Sequence, residues 1–197
     1  MPEGAEVEVA DRAAWRAWLE ANHRQREGVW AVVVKGAART VAYEDLVEEA
    51  LCFGWVDSVG RSVDDVRTAL WVAPRKPRSA WSKPNKDRVA ALEAAGLMAP
   101  AGLAAVETAK ANGQWTKLDD VERLVEPPDL VAALDGNADA RRHWDAFPRS
   151  VKRGILEWIG AAKRDTTRAD RIRTTAEEAA QNRRANQWRQ PKGASGA

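Results

Sequence analysis

The sequence is poor in the side chains that bind metals and form disulfides. Its 197 residues include one cysteine, Cys52, and two histidines, His23 and His143. A single cysteine excludes an intramolecular disulfide and any metal site built on several thiolates. The two histidines lie far apart in the chain, so we expect neither a metal site nor a cofactor.

Long apolar runs and a signal peptide are also lacking. No stretch approaches the roughly 18 apolar residues that a membrane span needs. The segment Met1–Val9 has neither the basic region nor the apolar region of a secretion signal. We therefore expect no membrane span and a cytoplasmic location. Nucleophile-elbow and glycine-rich phosphate-loop motifs are missing too, so no motif favours an enzyme.

The chain as a whole lacks a strong excess of charge of either sign, because its net charge is only +2. The charges are unevenly distributed, however. Residues 148–197 contain 12 Lys+Arg against 5 Asp+Glu, whereas residues 1–147 contain 19 against 24. The basic segment suggests an anionic partner and the acidic remainder a cationic one, with simple solubility as the alternative for both.

What the sequence does have is ten tryptophans, most of them at helical or alternating spacing among apolar residues. That spacing is typical of a core. For the first 80 residues we predict an edge strand, a helix capped by Asp11, a central strand, a second helix and two antiparallel strands. Their ranges are Glu6–Val9, about 12–22, Val29–Lys35, Tyr43–Phe53, Val56–Val63 and Arg67–Ala73. The predicted fold is α+β, with a small antiparallel sheet and two packed helices.

After Ser82 the pattern becomes helical and stays so, which predicts an all-helical C-terminal half. Gly96, Gly113 and Pro127-Pro128 separate the predicted helices. The ranges are Lys83–Ala95, Pro100–Asn112, Leu118–Val125, Pro128–Leu134, Ala138–Phe147, Val151–Ala162 and Thr167–Arg184. We predict three domains: residues 1–80, a helical domain over 81–186, and a disordered tail over 187–197.

Several motifs then identify a family. Four of them are Trp15–His23, Glu49–Ser58, Pro74–Asn85 and Ala162–Ile172. Together they resemble the YdeI / OmpD-associated, or bacteriocin-protection, family over about residues 6–184. The resemblance implies a small bacterial protein linked to tolerance of cationic antimicrobial peptides and to envelope stress. It implies no established reaction, and it assigns the C-terminal half to the OmpD-associated helical domain.

The stretch Gly54–Asn85 contains the best candidates for ligand binding. An ion pair between Asp57 and Arg75 in a tryptophan-walled cleft would anchor a small ligand. Alternatively, Asp57 caps a turn and Arg75 stacks on an indole for structure alone. Free amides at a helix start would favour an anion, although ordinary capping by Ser82 explains the same residues. The candidate set is Trp55, Asp57, Arg75, Ser79, Trp81, Ser82 and Asn85.

The last helices suggest a second binding surface, for nucleic acid or another anion. Its candidate residues are Lys163, Arg164, Arg168 and Arg171. Interleaved acidic residues such as Asp165 fit a solvated, ion-paired helix face equally well. The alanine-rich helix 100–112 has few side chains that could read bases, which argues against sequence-specific DNA binding.

The leading functional prediction is a non-enzymatic binding protein in envelope stress or tolerance of cationic antimicrobial peptides. The predicted partner is a cationic peptide or a small anionic ligand. One alternative is a small-molecule-binding enzyme that uses the Trp/Asp/Arg cleft. A second alternative is weak nucleic-acid or anion binding by the basic C-terminal helices.

Overall fold

The structure is a computed structural model that describes residues 1–187 and 189–190. The chain divides into two compact units, one comprising Met1–Lys117 and one that begins at Leu118. The predicted disordered tail, 187–197, lies outside the described residues except at Gln187, Arg189 and Gln190.

The first unit extends past the strands to include two of the helices that follow residue 80. These helices pack against the second helix of the chain, so they share the core of the sheet. The division into domains 1–80 and 81–186 therefore does not coincide with the compact units, and it stays a prediction.

The first unit contains a four-stranded sheet. Its strands are β1 (Glu6–Glu8), β2 (Val29–Val34), β3 (Trp55–Ser62) and β4 (Arg67–Pro74). In space the order is β1-β2-β4-β3, so β1 lies at an edge and β2 in the interior, as predicted. β4 is antiparallel to β2 and β3, but β1 is parallel to β2. The sheet is thus mixed, and the prediction of a purely antiparallel sheet was wrong. The helix between β1 and β2 returns the chain to the end of the sheet at which β1 begins, as parallel pairing requires.

Four helices belong to this unit. They are α1 (Arg12–Asn22), α2 (Tyr43–Cys52), α3 (Lys83–Ala94) and α4 (Pro100–Ala111). Asp11 caps α1 as predicted, because its carboxylate accepts a hydrogen bond of 2.7 Å from the Ala14 amide. The indoles of Trp15 and Trp18 lie on one face of α1 and stack at 5.2 Å.

The core of the unit lies between the helices and one face of the sheet. Trp15, Trp55 and Trp81 are its largest members, each exposed by no more than 1 %. A smaller cluster on the opposite face of the sheet contains Trp30 and Val32. Trp15 and Trp30 confirm that the tryptophans at helical and alternating spacing form core, and Trp55 and Trp81, which were predicted to bind a ligand, are buried as well.

A buried carboxylate ties α1 to α2. Glu49 is 3 % exposed, and it accepts hydrogen bonds of 2.7 Å from Arg12 and from Arg16. Helical spacing alone does not distinguish this glutamate from its exposed neighbours on α2. The pairing satisfies a charge that would otherwise be costly to bury.

All the regular secondary structure in the described part of the second unit is helical. Its helices are α5 (Asp119–Glu122), α6 (Pro128–Asp135), α7 (Ala138–Ala146), α8 (Arg149–Gly160) and α9 (Asp165–Ala180). Leu130, Trp144 and Ile155 are fully buried at their common core. Trp144 also donates a hydrogen bond of 2.6 Å to Glu126. The helical C-terminal half predicted from the sequence is confirmed, with shorter bounds for α5 and α9.

The part of the chain that the structure describes contains neither a membrane-spanning helix nor a cluster of metal-binding side chains. None of its helices is long and apolar enough to cross a membrane. No group of three or more His, Cys, Asp or Glu side chains there is arranged to hold a metal ion.

Candidate functional site

The corner after β4 brings Arg75 and Trp81 together. Pro74 ends the strand, and the following loop returns so that the Arg75 guanidinium lies 3.8 Å from the Trp81 ring centroid. Arg75 Nη1 donates a 3.0 Å hydrogen bond to the Ala80 carbonyl. Trp81 packs in turn on Trp115, with ring centroids 5.0 Å apart. The cation–π stack suggested by the sequence is therefore present.

The predicted ion pair between Asp57 and Arg75 is not formed. Asp57 lies opposite Val72 in the β3–β4 ladder, on the sheet face that α2 covers. There its carboxylate accepts a 2.6 Å hydrogen bond from the Tyr43 hydroxyl. Partial burial and this hydrogen bond raise the pKa of Tyr43 to about 12. The polar partner of Asp57 is thus a tyrosine on a helix, not the arginine at the end of the strand.

Arg75 is held in a poorly solvated position. Burial lowers its pKa to about 10, and the charge of Asp57 offsets only part of that effect. A cavity of about 100 Å³ lies against the Arg75–Trp81 stack. Its remaining walls are Lys76, Pro77, Ala105, Thr108 and Ala109. The corner therefore combines an under-solvated cation with a small, partly open cavity.

The other predicted ligand residues have structural partners or lie apart. Trp55 is 1 % exposed, and its Nε1 donates a 3.0 Å hydrogen bond to the His23 carbonyl. Ser82 occupies the N-cap position of α3, but its side chain makes no capping hydrogen bond. Asn85 accepts a 3.2 Å hydrogen bond from Arg88. Ser79 is exposed. Of the seven predicted residues, Arg75 and Trp81 are the two that line the small cavity.

A second cavity, of about 290 Å³, lies between α2 and the sheet and was not predicted. Val33, Leu46 and Leu70 contribute apolar walls, and Tyr43 and Arg39 contribute polar groups. The β3–β4 register shifts between Asp57 and Gly60 beside it. Bulges often adjoin binding sites, but Ser58-Val59-Gly60 gives little advance sign of one in the sequence.

The basic residues of the last helices are largely engaged within the second unit. Arg168 binds Asp129 through two hydrogen bonds of 2.9 Å. Arg171 donates to the Trp158 carbonyl and lies 5.0 Å from the Trp158 ring centroid. Lys163 and Arg164 are exposed and have no ion pair among the described residues. The four predicted anion-binding residues thus do not form a continuous free basic stripe.

An open groove of about 620 Å³ runs between α6 and α9 in the second unit. Apolar side chains, three of them alanines, form its floor: Ala133 on α6, and Ala169, Ile172 and Ala176 on α9. Charged residues border it: Asp129, Asp165, Arg168, Arg173 and Glu177. Arg173 is paired with Glu177 at 3.1 Å, as Arg168 is with Asp129. Asp165 has no such partner in the described chain.

Two known protein families match segments of this chain, one in each compact unit. Residues 7–105 match a family described as "Domain of unknown function (DUF8412)". Residues 123–182 match the family described as "Bacteriocin-protection, YdeI or OmpD-Associated", which confirms the family predicted from the motifs. No curated protein and no solved structure matches the chain. The chain therefore belongs to the DUF8412 family, and residues 123–182 in its second unit match the bacteriocin-protection, YdeI or OmpD-associated domain.

Proposed function

We propose that this is a non-enzymatic binding protein that contributes to tolerance of cationic antimicrobial peptides and to envelope stress, in the cytoplasm. The observation that carries the proposal is the α6–α9 groove, which lies within the residues that match the bacteriocin-protection family. Its apolar floor and charged borders suit one face of an amphipathic helix.

The chemistry of the groove favours a cationic amphipathic peptide. Alanines on the floor would let the apolar face of a helix approach closely, as small residues do wherever helices pack. Three carboxylates border the groove, at Asp129, Asp165 and Glu177. Asp165 is free for a peptide lysine, whereas the other two would have to exchange their arginine partners. We therefore expect moderate affinity with a strong dependence on salt.

The distribution of charge favours the α6 side of the same groove. Residues 1–117 are balanced, with 16 Lys+Arg and 16 Asp+Glu. The acidic excess of the first 147 residues thus comes entirely from residues 118–147, which hold 3 Lys+Arg against 8 Asp+Glu. Residues 118–147, which include α6, are consequently the part of the second unit that would attract a peptide cation.

Calorimetric titration tests the proposal, with a synthetic helical peptide of leucine and lysine as the probe. We expect saturable binding that weakens as sodium chloride rises from low to physiological concentration. Ala169→Lys would place a cation on the exposed floor of the groove and should weaken binding at least ten-fold. Ala132→Lys adds the same charge to an exposed position of α6 that does not line the groove, and it should bind like the parent.

Two results would count against the proposal: no salt-sensitive binding at all, or equal weakening by the two lysine variants. Equal weakening would indicate a general charge effect without a specific groove. In bacteria, expression of the parent chain should raise the peptide concentration needed to stop growth, and expression of Ala169→Lys should do so less.

A further inference from the structure

Arg75 has hydrogen-bonding capacity that no described residue uses. Its Nη1 donates to Ala80, but its buried Nε–H has no partner. No described carboxylate forms an ion pair with the guanidinium, and Asp57 acts on it only through space. The edge formed by Nε and Nη2 is the pair of parallel donors that binds a carboxylate or phosphate in bidentate fashion.

A second unused donor lies beside it. Trp81 is 1 % exposed, and its indole Nε1–H has no hydrogen-bond partner among the described residues. Buried N–H groups are nearly always satisfied by protein, water or ligand. Two unsatisfied donors on residues stacked 3.8 Å apart, both lining one cavity, point to a shared acceptor. Arg75 is half-buried and Trp81 is fully buried, so neither is an ordinary surface side chain.

The cavity has a suitable size and charge. A water molecule takes about 30 Å³ of liquid volume, so about 100 Å³ has room for roughly three waters or one small oxyanion. Lys76 lines the cavity, is exposed, and has no ion pair in the described chain. The Thr108 hydroxyl donates to the Ala104 carbonyl at 2.8 Å. Two cationic side chains thus line a cavity whose described walls include no carboxylate.

We propose that this cavity binds a small oxyanion, a carboxylate or phosphate group, through the Nε/Nη2 edge of Arg75 and the indole N–H of Trp81. Lys76 contributes charge at the rim. The bound group would compensate the buried guanidinium and satisfy both donors at once. This site lies in the first unit, and it is independent of the peptide groove proposed above.

Thermal unfolding of the full chain in phosphate, acetate and chloride at matched ionic strength provides the test. We expect phosphate or acetate, but not chloride, to raise the melting temperature in a saturable manner. The Trp81 indole should report the same binding through tryptophan fluorescence. Whichever oxyanion acts at the lower concentration identifies the preferred group. A response to neither, or an equal response to chloride, would overturn the proposal.

Variants locate the site. Arg75→Gln should weaken the oxyanion effect at least ten-fold, whereas Arg78→Gln removes an exposed arginine that does not line the cavity and should leave the effect unchanged. Equal responses of these two variants would refute the assignment.

A second variant keeps the test decisive if Arg75→Gln does not fold. Thr108→Glu would place a carboxylate on an exposed wall of the cavity. It should raise the melting temperature without added oxyanion and abolish the saturable response, whereas the uncharged Thr108→Gln should not raise it. A full oxyanion response in Thr108→Glu would contradict the proposal.

Discussion

Gly102 is the position where one added methyl group should do the most damage. It is the third residue of α4, and a Cβ atom there would lie 2.2 Å from the Cys52 carbonyl oxygen and 2.8 Å from that of Leu51. These are backbone atoms, and the Cys52 oxygen already accepts a 3.0 Å hydrogen bond from the Ala99 amide. Gly102→Ala must therefore move α4 away from α2 by about 1 Å to restore a carbon–oxygen contact near 3.3 Å.

Two opposing effects decide whether Gly102→Ala stabilises or destabilises the fold. Alanine gains about 1 kcal/mol over glycine inside a helix. Overpacking a close contact costs about 1–3 kcal/mol, and no rotamer change can relieve a clash with backbone, so we take the upper value. The net loss is about 2 kcal/mol of unfolding free energy, or roughly 10 °C in the melting temperature of the first unit. Because α4 carries Ala105, Thr108 and Ala109, the same shift should also weaken the oxyanion response.

Gly154 in α8 provides the matched control. A Cβ atom there would meet only the end of the Gln187 side chain, at 3.0 Å from its Nε2, and that side chain can move. Gly154→Ala should therefore gain about 0.5–1 kcal/mol from helix propensity. Urea unfolding followed by circular dichroism and tryptophan fluorescence measures both variants. Stabilisation by Gly102→Ala of the same size as by Gly154→Ala would refute the close approach of α4 to α2.

Two further predictions concern ionisation. Tyr43 is the only tyrosine, so ultraviolet absorbance should show one phenolate forming near pH 12 rather than its ordinary 10, and Asp57→Asn should lower that midpoint. Since folding raises this pKa, its contribution to stability should be complete below pH 10 and be lost between pH 10 and 12; a parent midpoint at 10 would contradict this. The hydrogen bonds from Arg141 lower the pKa of Glu126. The stability that Glu126 contributes is therefore present above its ordinary pKa of 4.5 and is lost as the pH falls through the lowered value. Glu126→Gln should cost about 1.5–3 kcal/mol at neutral pH, and a urea-unfolding difference that persists undiminished well below pH 4.5 would exclude this linkage.

Periodicity identified most elements because the cause of each one is local. The alternation in Glu6–Val9 and the β-branched run Val29–Lys35 correctly gave two strands, and the 3-4-3 spacing of tryptophans correctly gave α1. Asp11 was recognisable as an N-cap because it directly precedes the first residue of α1. Its carboxylate accepts a hydrogen bond from the amide of Ala14, three residues later. The family, too, was readable from motifs, since those are properties of the chain itself.

Pairing between distant residues was less predictable. The parallel direction of β1 depends on how α1 returns the chain, and neither strand's own pattern carries that information. Asp57 and Arg75 were expected to pair because both lie in one tryptophan-rich stretch. The register of β3 on β4 instead turned Asp57 toward Tyr43, while the return of the loop placed Arg75 on Trp81.

The sequence by itself determined which segments are strands and helices, and which family the chain resembles, because hydrophobic periodicity, capping and motif order are encoded in neighbouring residues. Only the tertiary structure decided which charges are satisfied. Glu49 found two arginines, Arg168 found Asp129, and Arg75 was left with an unused Nε–H. Such outcomes depend on distances and burial between elements far apart in the chain, which no local pattern specifies.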